Sequence, residues 1–337
     1  FSYIILAEAL GYGGAALFII LKKQFEAPFD LRLGFLLILA SLFLLFLPFS
    51  PLVVLFIYTI VRISGVIMFF VPYNILFFRS TQESKRLHKM TVMWSIGSVV
   101  GIIAPIIGGY IFFRFGVGIF VGIAIGILCL ALFLTLFIKK EVYKYKFIEV
   151  ITHLKGVRTT TMIDGASENI SGILITLYLL SFIKDEFDFG KLLSVIALMS
   201  IIFSFKLASF SDKYNKRFEF IWPLSFLSAV IMISFYFVSS FWAVIILVIL
   251  FKFVSTLLNP VRSNIILDKI DNVPLTWIAR DVFLNVGRAL ALFFVFVISY
   301  YGFLNESFIF AGLLFAIFPF IVYRKKIYSR QPTNQGL

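Results

Sequence analysis

The chain has little of what a soluble enzyme needs. Charged residues make up 14% of its 337 positions, against about 25% in an average globular domain. Its two histidines, His88 and His153, lie far apart, so no His cluster offers metal binding or acid–base chemistry. The single cysteine, Cys129, can form no internal disulfide and sits inside an apolar run. No Gly-rich loop closing on Lys-Ser/Thr is present to cradle a nucleotide phosphate. No Ser/Lys or paired-Asp constellation has catalytic spacing. These absences exclude a soluble enzyme, a disulfide-stapled secreted scaffold and an ATP-driven pump. They speak against an intramembrane enzyme, and no cofactor is expected.

What is present is apolar: 61% of residues, 18% aromatic, with a mean hydropathy of +1.04. At about 20 apolar residues per crossing, such a chain has room for roughly ten to twelve helical spans and no soluble domain. Eleven runs are expected to span, at about 1–21, 33–49, 52–78, 90–113, 117–138, 161–183, 191–210, 218–239, 241–260, 278–300 and 303–323. They are continuous rather than alternating, so they read as helices and not barrel strands. The first is too long, and carries Glu8 too early, for a signal peptide.

Charge alternates between successive loops. Twenty-three of the 30 basic residues fall in one set of connections, whereas the other set holds only Arg114, Lys184 and Lys191. The positive-inside rule makes the basic set, including the C-terminal tail, cytoplasmic. It also explains the net charge of +13 without nucleic acid. The expected partner is the bilayer of a cell membrane, and abundant Lys, Ile and Phe suit an AT-rich prokaryotic genome. The organisation expected is an N-terminal bundle at 1–138, a cytoplasmic linker at 139–160, a C-terminal bundle at 161–323 and a tail at 324–337. Phe147, Ile148, Val150, Ile151 and Leu154 suggest a short surface helix in the linker, with a solvated tether as the alternative.

The halves repeat weakly at an offset of 190. Asn74-Ile75-Leu76 matches Asn264-Ile265-Ile266, Gly97 matches Gly287, and Arg62 falls on Lys252. The sixth span then has no mate in the first half. Parallel half-repeats with a site between them are a transporter architecture.

Three segments resemble motifs of the major facilitator superfamily (MFS). Ala208 to Arg217, with Asp212, Lys213, Lys216 and Arg217, resembles the motif A loop, with Ala208 and Asn215 where that family has Gly. Gly97, Gly101, Pro105, Gly108 and Gly109 resemble motif C, with Ala104 replacing a Gly. Arg62-Ile-Ser-Gly65 looks like a shortened motif B. The resemblance implies an all-α polytopic fold of two pseudo-symmetric helical bundles, the eleven spans being family helices two to twelve. The first family helix would precede Phe1, unless the protein has lost that part of the cavity wall. The loop Lys22–Arg32 does not keep motif A.

Intramembrane charges supply the candidate site. An ionised side chain at mid-membrane costs about 2.5–3.5 kcal/mol on insertion scales, so such residues face a cavity or a partner. Arg62, Lys252, Asp164 and Glu168 are the candidates, with Asn169 beside them; Asp281, Asn285 and Arg288 form a further stripe at helical spacing. The resemblance sets the spans of Arg62, Asp164/Glu168 and Lys252 around a central cavity. Glu168 is the expected titrating carboxylate, exchanging Arg62 or Lys252 for water as the cavity switches sides; a fixed ion pair is the bland alternative. Glu8 and Lys206 read as interfacial anchors. By resemblance, Asp212 would cap a neighbouring helix as a gate, and motif C would mark proton-exchanging exporters. The 44 Phe residues favour an aromatic cavity. The expectation is a secondary active transporter moving a small organic molecule by alternating access, as a proton-coupled exporter. The competing reading is a transport-inactive relative serving as a structural subunit of a larger membrane complex.

Overall fold

The computed structural model describes residues 1–79, 86–183, 185–212, 217–267 and 272–324. Among them the chain is helical apart from short connections. The helices are α1 (Ser2–Lys22), α2 (Phe29–Leu44), α3 (Pro51–Arg79), α4 (Arg86–Leu134), α5 (Phe147–His153), α6 (Arg158–Phe182), α7 (Glu186–Asp212), α8 (Arg217–Phe237), α9 (Phe241–Leu267), α10 (Val273–Tyr300) and α11 (Glu306–Arg324). Six stretches within the described residues are long and apolar enough to cross a membrane. The chain is an all-α, membrane-embedded protein.

The longest apolar stretch, Val99–Phe137, has 39 residues. At about 1.5 Å per residue it is roughly twice the thickness of a bilayer core. It therefore has to turn, and it does so at Gly116, whose φ of 78° suits a residue without Cβ. The two runs expected at 90–113 and 117–138 are thus the two arms of α4. Across Val99–Phe137 few side chains are buried, as lipid-facing helices allow, the rest being exposed or half-buried, and Cys129 is exposed.

Helix pairing is reciprocal between the halves. α1 packs on α10, and α4 packs on α7. At an offset of 190, α1 corresponds to α7 and α4 to α10, so each cross-half contact is the mate of the other. Within the halves, α1–α3 and α2–α3 correspond to α7–α9 and α8–α9. The tightest crossings use small residues, which let backbones approach in the absence of a hydrophobic force between helices. A Cβ added at Gly287 of α10 would fall on the Met162 carbonyl of α6, and one at Gly165 on the Leu284 carbonyl. Among the glycines that resemble motif C, close helix approach occurs at one end only. A Cβ at Gly109 would lie 2.8 Å from the Glu186 carbonyl, whereas Gly97 and Gly101 have nothing within 4 Å.

The linker is no solvated tether. Residues Gln24–Ala27 (β1) and Glu141–Lys144 (β2) form an antiparallel pair, with Phe25 opposite Tyr143. Asp30, fully buried, accepts from Lys22 Nζ at 2.6 Å and from the Glu26 amide at 2.6 Å, which folds the α1–α2 connection back on itself. The Tyr145 hydroxyl donates to the Ile19 carbonyl at 2.5 Å. The short helix expected in the linker is α5. It buries Val150, with Leu154 buried just beyond its end, leaves Phe147 and Ile148 exposed, and reaches α10 through His153, whose Nε2 is 2.7 Å from Thr276 Oγ1. An apolar layer including Ile19, Phe78, Tyr145, Val150, Trp277 and Phe318 joins both halves at this end.

Candidate functional site

Four charged residues from four helices line a cavity of about 480 Å³; α1, α3 and α10 are among the stretches apolar enough to cross a membrane, whereas α6, expected to span at 161–183, is not. Glu8 (α1), Arg62 (α3), Glu168 (α6) and Arg288 (α10) all line it, with Tyr12, Asn169 and Thr176 as further polar groups and Ile4, Ile173 and Leu177 as apolar wall. The volume lies in the usual range for small-molecule pockets. Their positions along α1, α3 and α6 set the cavity toward the Phe1 end, away from the apolar layer beside the linker.

The four charges are joined in two unequal pairs. The Arg62 guanidinium donates to Glu8 Oε1, and it also lies 5.9 Å from the Tyr58 ring centre. Arg288 Nη2 lies 3.7 Å from Glu168 Oε2, and the Glu168 side chain is 50% exposed. Arg288 is held from behind: its Nη1 donates to Asn285 Oδ1 at 3.1 Å, and its guanidinium sits 5.1 Å from the Tyr12 ring centre. Asn285 in turn donates to the Asp281 carbonyl at 2.7 Å. The Tyr12 hydroxyl accepts from Asn169 Nδ2 at 3.0 Å. Two buried atoms of the lining residues, Arg288 Nε and Asn169 Oδ1, have no hydrogen-bond partner.

A second charged cluster stands apart from the cavity. Asp164 Oδ1 pairs with Arg262 Nε at 2.6 Å, with side-chain exposures of 12% and 1%. Arg262 Nη2 donates to Ser167 Oγ at 2.5 Å and to the Asp164 carbonyl at 3.3 Å. Its guanidinium stacks 4.5 Å from the Phe318 ring centre and 5.4 Å from that of Phe315. Asp281 likewise pairs with Arg280, at 3.1 Å, and Arg280 lies against Trp277.

Of the residues singled out from sequence, the cavity gathers Arg62, Glu168, Asn169 and Arg288. Asn285 supports Arg288 without lining the space. Asp164 belongs to the sealed cluster, and Lys252 is exposed on α9, outside the lining but within the electrostatic reach of Glu168. Ser255 and Thr256, which share its face, both donate back to the Lys252 carbonyl. Side chains of the motif A residues Asp212, Lys213, Lys216 and Arg217 lie outside the described residues, as does that of Lys206. Three assignments change. Glu8 is a partner of Arg62 rather than an interfacial anchor. Arg262 is buried within α9 rather than carried in a basic loop. The cavity is lined by one aromatic residue, Tyr12, and by no Phe. Glu8 and Tyr12 stand four apart, the same stripe signal that marks Glu168 and Gly172. The apolar run continuing through Ile265–Leu267 is the corresponding clue for Arg262.

Among the described residues, no three His, Cys, Asp or Glu side chains gather to hold a metal ion. No protein-family model matches the chain, and no curated protein matches it.

Proposed function

We propose that the protein is an MFS-type secondary active transporter that moves a small organic molecule across a cell membrane by alternating access. One observation carries the reading: a charged cavity of about 480 Å³ built from both halves of a repeated helical chain, with two of its four charged residues from each half. Ionisable groups in a membrane span are costly, and transporters keep them where they meet substrate or protons. The reciprocal α1–α10 and α4–α7 contacts give the halves a shared axis about which to rock. With the basic loops cytoplasmic, the apolar layer beside the linker closes the inner side, and the cavity lies toward the outside.

Proton coupling is assigned to Glu168, with Glu8 as a second carboxylate. Glu168 is the half-exposed member of a loose pair, so water and Arg288 can compete for it as the halves move. A proton is favoured when the cation withdraws and disfavoured when it returns. Export is preferred from the motif C resemblance alone. The test is flux in proteoliposomes with and without a pH gradient, comparing wild type, Glu168→Gln and Glu8→Gln. Wild-type flux driven by the gradient, and lost or uncoupled in Glu168→Gln, is expected. Equal flux in all three, independent of the gradient, removes the coupling assignment. Absence of flux together with copurification of a fixed partner moves the protein to the structural-subunit reading.

A further inference from the structure

We propose that the cavity, read above as the transport site, takes a small zwitterion: a molecule of amino-acid or dipeptide size carrying one ammonium, one carboxylate and an apolar side chain. The inference rests on that reading only for what happens after binding. Glu8 and Arg62 already satisfy each other in direct contact, so they ask for no ligand charge. Glu168 and Arg288 do not: at 3.7 Å they are beyond a good charge-assisted hydrogen bond, and half of the Glu168 side chain is exposed. A ligand ammonium can take the Glu168 carboxylate and a ligand carboxylate the Arg288 guanidinium, with no net charge left over.

Glu168 on α6 and Arg288 on α10 line the same space. A simple anion would leave the Glu168 carboxylate unanswered, and a simple cation would leave the Arg288 guanidinium so. The wall of Ile4, Ile173 and Leu177 gives an apolar side chain a place to lie.

The experiment uses the full chain, purified in detergent, and equilibrium binding measured by calorimetry. The probes are phenylalanine and glycylphenylalanine as zwitterions, phenylalanine amide as cation, 3-phenylpropionate as anion and N-acetylphenylalanine amide as neutral analogue. At least one zwitterion is expected to bind about tenfold or more tightly than the three analogues, the ratio one lost charge-assisted contact gives. Glu168→Gln is expected to turn the preference toward the anion, and Arg288→Gln toward the cation, a reciprocal exchange that general loss of structure does not produce. Equal binding of all classes, tighter binding of a singly charged or neutral probe, or no binding of either zwitterion at millimolar concentration overturns the proposal. The wild-type comparison stands whether or not the variants fold. Flux of the same radiolabelled probes separates the two readings. A zwitterion that binds but is never moved keeps the site and removes the transporter; movement of a singly charged analogue alone keeps the transporter and removes the zwitterion.

Discussion

Two ionic clusters lie along α6, about one helical turn apart, and they differ in nearly everything except composition. Asp164 points to Arg262 in a packed environment, roofed by Phe315 and Phe318. Glu168 points to Arg288 at the edge of a cavity, with half of its side chain exposed. Between them runs the seam where Gly165 and Gly287 bring α6 and α10 into backbone contact. The first cluster is closed over by α9 and α11, and the second opens on the cavity. A charge held among packed helices is therefore no site by itself. What separates a structural pair from a working one is whether another group can reach it.

The largest expected effect breaks the sealed cluster. Arg262→Ala would strand the Asp164 carboxylate with no counter-charge, and removing one partner of a buried pair costs about 3–5 kcal/mol. Thermal unfolding of the purified protein should show it as a large fall in Tm. Replacing both partners, Asp164→Leu with Arg262→Met, should recover most of the loss, since apolar residues of similar volume often substitute for a buried pair. If Arg262→Ala is as stable as wild type, the cluster is not sealed and the comparison fails. The seam itself is the next target. Gly287→Ala forces a methyl group onto the Met162 carbonyl, an overpacking that costs about 1–3 kcal/mol. Its repeat mate Gly97 has nothing within 4 Å, so Gly97→Ala should leave Tm unchanged or raise it.

Much of the fold was legible because lipid enforces a simple rule: a backbone in hydrocarbon must be helical, and an apolar run of sufficient length announces itself. The break between the runs at 90–113 and 117–138 was legible because a single helix of that length overshoots the bilayer, and the structure puts it at Gly116. The β1–β2 pair was not legible. Its strands have four residues each, carry charges at Glu26, Glu141 and Lys144, and pair across more than a hundred positions, so no local pattern betrays them. Within the site, Arg62, Glu168 and Arg288 stood out as polar groups in apolar runs. Glu8 was equally visible but misplaced, since its depth is set by the crossing of α1 with α3, which no single helix records. Arg262 was lost to the loop because Pro260 reads as a helix stop, whereas within a membrane bundle proline is tolerated inside helices.

A smaller effect tests the linker end, where the apolar layer closes the molecule. Tyr145→Phe removes one hydroxyl bonded to the Ile19 carbonyl, worth about 0.5–1.5 kcal/mol. Burial, with the Asp30 charge as a second cause, raises the Tyr145 hydroxyl above its ordinary value, and burial with Glu141 pushes Tyr143 up to about 12. Both groups fold neutral, so their contribution is complete below pH 10, the ordinary tyrosine value. It is lost as pH climbs toward 12 and beyond, because the unfolded chain ionises first. The alkaline fall in Tm should be shallower in Tyr145→Phe than in wild type; an identical alkaline limb would mean that this hydroxyl is not held at the closed end.

The smallest expected change in stability belongs to the residue assigned the largest part in function. Glu168 is half exposed and meets Arg288 at 3.7 Å, so Glu168→Gln removes a loose, solvent-screened attraction of about 0–1 kcal/mol. The same substitution leaves Arg288 held by Asn285 and Tyr12, so the cavity wall should keep its shape. A variant with near wild-type Tm and no gradient-driven flux would place Glu168 on the functional side of the comparison. A fall in Tm as large as that of Arg262→Ala would put both clusters in one class, and the difference in exposure between them would then carry no functional meaning.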